Sequence, residues 1–288
     1  MRLGGPAAYF AEPDTIEDVR RIAEWAHAQR LPLRVIGGGS NVLIADEGVQ
    51  SVVISLRRAC GDTRFQDTRV IAGGGVMLPG LARAAAAHNL DGLEFAIGIP
   101  GTIGGALQSN AGIGDRREIG PLVEAVRLLR SAEVVTLFRS DLRFDYRASS
   151  LRGGADIVLE ATLALESRPR AECEAEMTRL LEARQTSQPT AERNAGSIFR
   201  NPEGDHAGRL IEAAGCKGLN VGGAQVSQLH ANFIVHDGSA STADIAALMS
   251  EIQHRVLAFA GVRLTPEVEW WGDGELPPAF PNELRGSA

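Results

Sequence analysis

The sequence predicts an α+β fold in two halves. Three observations predict it: helical and strand periodicities are mixed along the chain, glycine is crowded into the first half, and the pattern changes near residue 168. Residues 15–29, TIEDVRRIAEWAHAQ, read as a helix with Thr15 as cap, Asp18 three residues on, and an apolar stripe of Ile16, Val19, Ile22, Ala23 and Ala26. LPLRVI, VLIADEG, SVVISL and RVIAGGGV read as strands, and the alanine-rich stretch 79–89 as a helix. The segment 92–114 reads as a long glycine-rich loop. AVRLLR, EVVTLFR and DIVLEATLAL are further strands, with a turn at FDYR. After residue 168 come a charged amphipathic helix ending in LEARQ, a helix near 206–214, the strand ANFIVHDG, a helix at 242–260 stopped by Gly261, and the strand VRLTPEVEWWG.

Bulk properties narrow the function. A chain of 288 residues, 44% of them hydrophobic, can bury a sizeable core. The net charge of −7 argues against a nucleic-acid partner, which would need a basic face. Cys60, Cys173 and Cys216 are widely spaced with no CxxC, and the histidines form no HExxH, so neither a disulfide framework nor a metal site is expected. No apolar run approaches the ~18 residues of a membrane span, and the N-terminus lacks a signal-peptide pattern, so a cytoplasmic protein without membrane insertion is expected.

Two segments bear on chemistry directly. VIGGGSNVLI places Gly37, Gly38, Gly39, Ser40 and Asn41 between two strands. Glycine lets successive backbone N–H groups converge, and Ser40 and Asn41 add side-chain donors, an arrangement that suits a pyrophosphate. GIPGTIGGALQSNAG (98–112) is a second segment of the same kind. Alone, GGGSN is equally well a tight turn, and neither segment matches GxGxxG or the Walker pattern. Two such cradles in one half point to a dinucleotide.

In order along the chain stand GGGSN with VLIADEG, GLEFAIGIPGTIGGALQSNAG, FDYR, GSIFRNP, GGAQVSQLHANFIV and PEVEWWG. Together they resemble the UDP-N-acetylenolpyruvoylglucosamine reductases, flavoenzymes of peptidoglycan precursor synthesis, over almost the whole chain. The resemblance implies an FAD-binding half of the vanillyl-alcohol-oxidase (PCMH) type plus a smaller α+β substrate-binding domain. The expected boundaries are an FAD-binding region at 1–167, built of two α+β subdomains and joined by the C-terminal strand 264–275; a substrate-binding domain at 168–263; and a loose tail at 276–288. It further implies non-covalent FAD, NADPH as co-substrate, and hydride transfer to the enolpyruvyl carbon, giving UDP-N-acetylmuramate. A monomer is expected. The residues expected to hold the cofactor are Gly37, Gly38, Gly39, Ser40, Asn41, Ile99, Pro100, Gly101, Thr102, Gly104, Gly105, Asn110, Ala111 and Gly112.

The chemistry explains the remaining residues. The substrate double bond is conjugated to a carboxylate, so hydride addition builds negative charge there, which a cation or hydrogen-bond donor must stabilise. Arg147 matches the family's residue for this task. Glu267 matches an acid at the same end of the site, and it is expected to be protonated or to share a proton. Ser197, in RNAGSIFRNP, matches the proton donor to the adjacent carbon. No GxSxG surrounds Ser197, which weakens any hydrolase reading. Substrate contacts are expected from Tyr146, Arg147, Asn201, Arg184 and Gln225. His230 receives no catalytic role.

The sequence departs from the family's pattern in places. Gly114 stands where many relatives have a tyrosine, Ser187 where many have a lysine, and the tyrosine-bearing lid of some members is expected to be absent. Three alternatives accompany the reductase reading: a flavin oxidase on the same fold, a specialised sugar-nucleotide reductase, and a non-catalytic flavin-binding protein. Retention of Arg147, Ser197 and Glu267 argues against the first and the last.

Overall fold

The computed structural model describes residues 1–114 and 117–281. The described residues divide into two compact units, one of residues 9–38 and 51–183, the other of residues 1–8, 39–50 and 184–281.

The first unit is built on a five-stranded antiparallel sheet. Its strand order is Glu133–Phe138, Val123–Arg130, Ile157–Ala164, Arg69–Gly73, Thr63–Gln66. Arg130 pairs with Glu133, so Ser131 and Ala132 alone make the turn. Both have left-handed backbones (φ 48 and 66), the pair of conformations that matches the twist of a two-residue hairpin. Helix α1 (Ile16–Ala28) begins at Thr15, whose side chain caps the Asp18 N–H while Asp18 returns to the Thr15 N–H, as the sequence predicts. Its buried Val19 and Ala26 share a core with Val52, Ile54, Leu129, Ile157 and Leu159. Helix α2 (Leu78–Ala87) packs Leu78, Leu81, Ala82, Ala85 and Ala86 into a second, larger core with Val70, Val126, Val158 and Leu163.

The expected loop 92–114 contains two turns of 3₁₀ helix at Glu94–Gly98 and helix α3 (Ile103–Ser109). Local propensity hides α3, because glycines at 104 and 105 disfavour helix. Packing restores it: Ile103, Ala106 and Leu107 are buried, and the Gly104 N–H donates to the Gly74 carbonyl at 2.9 Å. Helix α4 (Arg170–Ser187) follows, and only Cys173 and Met177 along it are buried. The amphipathic helix expected here is therefore mostly a charged rod, edged by ion pairs such as Arg170–Glu174 and Arg179–Glu176.

The second unit has its own core. Helix α5 (Ala207–Ala213) and helix α6 (Thr242–Ala260) bury Leu210, Ile211, Ile245, Leu248, Met249, Ile252 and Val256 with Phe199, Val226, Ile234 and Val268. Helix α6 starts at a Ser241–Asp244 capping box and stops at Gly261 in a left-handed conformation (φ 69). A three-stranded antiparallel sheet runs in the order Asn220–Val221, Ala224–Val226, Ile234–His236. The expected closing strand is regular only over Glu269–Trp271, where it pairs in parallel with Val42–Ile44. That pairing explains why residues 39–50 belong to this unit.

Two sequence expectations meet different facts. The chain passes from one unit to the other within α4, at 183/184, whereas the expected boundary lies at 167/168, because Cys173 and Met177 belong to the core of the first unit. The tail expected to be loose is packed as far as it is described. Ala279 and Phe280 are buried, the Phe280 ring lies 5.6 Å from that of Trp270, and Gln253 donates to the Ala279 carbonyl at 3.0 Å. The rest of that tail, 282–288, lies outside the described residues.

Candidate active site

In the first unit the two glycine-rich segments press against each other. A Cβ on Gly37 would lie 2.6 Å from Thr102 Oγ1, and one on Gly38 would lie 3.1 Å from the Gly101 Cα. Gly101 itself has φ 134, a conformation that side chains strongly disfavour. Its carbonyl accepts from the Leu78 N–H at 3.0 Å, and the Ile103 N–H donates to Val76 at 2.9 Å, which fastens the segment to the start of α2. Thr102 is buried and its hydroxyl accepts from the Gly105 N–H. The glycines thus clear a backbone-lined surface with Ile99, Pro100, Gly104 and Gly105 beside it. An extended group can approach the main chain closely along such a surface. That close approach to backbone is what fits these residues to FAD.

The downstream end of the same segment holds Arg147. Its guanidinium donates from Nη2 to the Gly112 carbonyl at 2.9 Å, lies 4.0 Å from Glu118 and sits 5.1 Å over the Tyr146 ring. The Arg147 backbone is left-handed (φ 53), a strained choice for a long side chain, and its carbonyl accepts from Arg152 at 3.2 Å. Tyr146 is about half exposed.

The side chain of Asn110, a residue expected in the cofactor set, is engaged by the fold. Nδ2 donates to Glu118 at 2.7 Å and to the Asp145 carbonyl at 2.9 Å, and Oδ1 accepts from the Gly120 N–H at 3.0 Å. With both amide protons and the carbonyl committed, the buried, left-handed Asn110 ties the end of α3 to the turn that carries Arg147. Glu118 was missed by sequence reading, because nothing local marks a carboxylate in DRREIG as the partner of a distant arginine.

In the second unit Ser197 and Glu267 lie on paired backbone. Glu267 N–H donates to the Ile198 carbonyl at 2.8 Å, and Arg200 N–H donates to the Thr265 carbonyl at 2.9 Å. Ile198 and Glu267 therefore stand opposite each other across this short antiparallel contact, with Ser197 one residue before it, and Ser197 and Glu267 are both partly buried. Gly196, left-handed at φ 76, turns the chain into it, its N–H held by Asn194 at 2.9 Å. Asn41 is fastened to the same strand: Nδ2 donates to the Glu267 carbonyl at 3.1 Å, and its own carbonyl accepts from Glu269 at 2.9 Å.

The remaining expected residues are placed as follows. Asn201 is exposed, and its side-chain oxygen accepts from the Ala207 N–H at 3.0 Å, capping α5. Arg184 is partly buried near the end of α4, and burial lowers its pKa. Gln225 is exposed on its strand and donates to the Gly218 carbonyl at 3.3 Å. Gly39, with φ 61, and Ser40 stand partly buried beside Asn41, and Ala111 and Gly112 stand partly buried after Asn110. No group of three or more metal-ligating side chains occurs among the described residues.

Comparison with known proteins gives a consistent answer along the chain. Residues 7–136 match an FAD binding domain, and residues 188–271 match the C-terminal domain of UDP-N-acetylenolpyruvoylglucosamine reductase. A UDP-N-acetylenolpyruvoylglucosamine reductase of Synechococcus sp. (strain WH7803) is 45% identical over 280 residues, covering 94% of this chain and 89% of the relative. A second, from Symbiobacterium thermophilum, is 41% identical and covers 98% of this chain and 90% of its own length. The crystal structure of the corresponding enzyme from Thermus caldophilus superposes with a TM-score of 0.80 at 37% identity, covering 94% of both chains.

Proposed function

The chain belongs to the UDP-N-acetylenolpyruvoylglucosamine reductase family, and from that premise we propose which of its residues carry the reaction. The protein has a PCMH-type FAD-binding domain and the family's C-terminal domain, and it is an NADPH-dependent FAD oxidoreductase. It reduces UDP-N-acetylglucosamine enolpyruvate to UDP-N-acetylmuramate in peptidoglycan precursor synthesis. FAD held by the residues below would supply the hydride, with NADPH as the source of its electrons.

Gly37 to Asn41, Ile99 to Thr102, Gly104, Gly105 and Asn110 to Gly112 hold the cofactor. Arg147 faces the substrate carboxylate and stabilises the charge that develops on it. Its ties to Gly112 and Glu118 fix the guanidinium in advance, so little reorganisation is needed when that charge appears. Ser197 delivers the proton to the carbon next to the one that receives hydride. Glu267 shares in stabilising the carboxylate, as a protonated or proton-sharing group. Asn201, Arg184, Gln225 and Tyr146 contribute to holding the sugar nucleotide. The protein acts as a monomer in the cytoplasm; no helix among the described residues is long and apolar enough to cross a membrane.

The observation that supports this reading is the Ile198–Glu267 backbone bond, which ties the residue after the proposed proton donor to the strand of the acid. The test follows flavin absorbance in two half-reactions. With Ser197→Ala, reduction by NADPH should proceed at close to the native rate. Reoxidation by the enolpyruvyl sugar nucleotide should slow by about 10²–10⁴-fold, the usual worth of a placed general acid. Loss of flavin in that variant would make the serine structural instead.

A further inference from the structure

The motif QLHANF is not explained by the roles above, although its asparagine lies against the serine segment. We propose that Asn232 is the positioning residue of Ser197, a role that rests on Ser197 being the proton donor. The two residues after Ser197 have four backbone polar groups to satisfy. Asn232 satisfies three of them. Its carbonyl accepts from the Ile198 N–H at 2.9 Å, its side-chain oxygen accepts from the Phe199 N–H at 3.0 Å, and its side-chain amide donates to the Phe199 carbonyl at 2.8 Å. The fourth group, the Ile198 carbonyl, takes the Glu267 N–H. The segment is held on one edge by the strand of the acid and on the other by a single buried asparagine.

Asparagine suits this task because one planar amide offers a donor and an acceptor at the spacing of a peptide group, so the side chain acts as a short extra strand. Its own position is set in turn. The Asn232 N–H donates to Nδ1 of His230 at 3.1 Å, and the His230 and Leu229 N–H groups donate to Ser227. The His230 ring also stands edge-on to Phe233 at 4.8 Å, and a Cβ on Gly208 of α5 would lie 3.1 Å from it. The turn 227–233 is thus a rigid mount. Gly196, immediately before the serine, is the freely rotating position that such a mount must restrain. Without the Asn232 side chain, the Phe199 N–H and carbonyl lose their partners, and the hydroxyl two residues upstream loses its fixed direction.

The experiment uses the full-length flavin-loaded protein with Asn232→Ala, Asn232→Asp and the double variant with Ser197→Ala. In Asn232→Ala the flavin should be reduced by NADPH within about twofold of the native rate, whereas reoxidation by the enolpyruvyl sugar nucleotide should fall by about 10²-fold, as for an ångström-scale misplacement of a reacting group. Amide hydrogen exchange should accelerate at Phe199. Asn232→Asp keeps the acceptor and loses the donor, so its reoxidation should fall between the two. Because the asparagine acts through the serine, the double variant should be no slower than Ser197→Ala alone.

Multiplicative losses in the double variant, or equal slowing of both half-reactions in Asn232→Ala, would overturn the proposal. Should Asn232→Ala not fold, Asn232→Asp carries the same comparisons alone and with Ser197→Ala. A Ser197→Ala protein that reoxidises at the native rate would overturn the donor assignment itself, and the proposal with it. That result is distinguishable because it is read without altering Asn232.

Discussion

The turn that carries Arg147 and the contact that carries Ser197 and Glu267 solve one problem by different means. Arg147 is aimed by side chains: its own guanidinium bonds to Gly112, Asn110 braces Glu118, and the backbone is held in a left-handed conformation. Ser197 and Glu267 are aimed by backbone: their neighbours pair as short strands, with Asn232 closing the open edge. The difference follows from what each group does. A charge stabiliser needs several fixed hydrogen-bond directions at the end of a long, flexible side chain, which only partners along that chain can supply. A serine has one rotatable bond before its hydroxyl, so fixing the backbone fixes nearly everything.

The comparison can be broken by experiment. The largest effect after the serine itself is expected at the side-chain-aimed group. Arg147→Lys keeps the charge but loses the planar fork, and reoxidation by substrate should slow by about 10²–10³-fold while flavin stays bound. A lysine variant with near-native reoxidation would show that charge alone suffices and that the bracing is incidental. Gly37→Ala should act on the cofactor instead. Its Cβ would sit 2.6 Å from the buried Thr102 hydroxyl, so the protein should purify with a lower flavin-to-protein ratio. Full flavin content would separate the glycine contact from cofactor binding.

Stability tests the backbone-built unit. Asp46 accepts from the Thr242 and Ala243 N–H groups at 2.8 and 2.9 Å, capping α6 from outside the helix. Asp46→Ala should cost about 1–2 kcal/mol in chemical denaturation, with little change in NADPH-driven flavin reduction.

The smallest effect is in pH. Burial is the first cause that lowers the pKa of both His230 and His236, and each ring accepts a backbone N–H at Nδ1, from Asn232 and Gly238 respectively. The unfolded histidines, near 6.5, therefore take up protons before the folded ones. Their contribution to stability is complete above that pH and is lost as pH falls below it. The thermal midpoint should decline between pH 7.5 and about 5.5, before carboxylates near 4 begin to titrate. A flat midpoint across that window would mean that neither acceptor bond constrains protonation.

Much of this was legible beforehand. Thr15 and Asp18 announce α1, and Ser241, Asp244 and Gly261 delimit α6, because caps satisfy backbone groups within one turn and so leave a local signature. The motifs around Ser197, Arg147 and Glu267 could be found because they are compact in sequence. Helix α3 was hidden by its glycines, since its stability comes from the buried Ile103 and Leu107 and not from propensity. The partners of the Asn110 amide, Glu118, Gly120 and Asp145, left no local signature, because the fold brings them to it.

The α+β class, the helix limits set by local caps, and the residue types that the chemistry requires are all written in short stretches of chain. Tertiary structure alone decided which backbone groups those residues serve. It joined Asn41 to Glu267 across 226 positions and Asn232 to Phe199 across 33. The physical reason is range. A cap or a glycine acts within a few residues of itself, whereas a hydrogen bond between distant segments exists only after the core between them has closed.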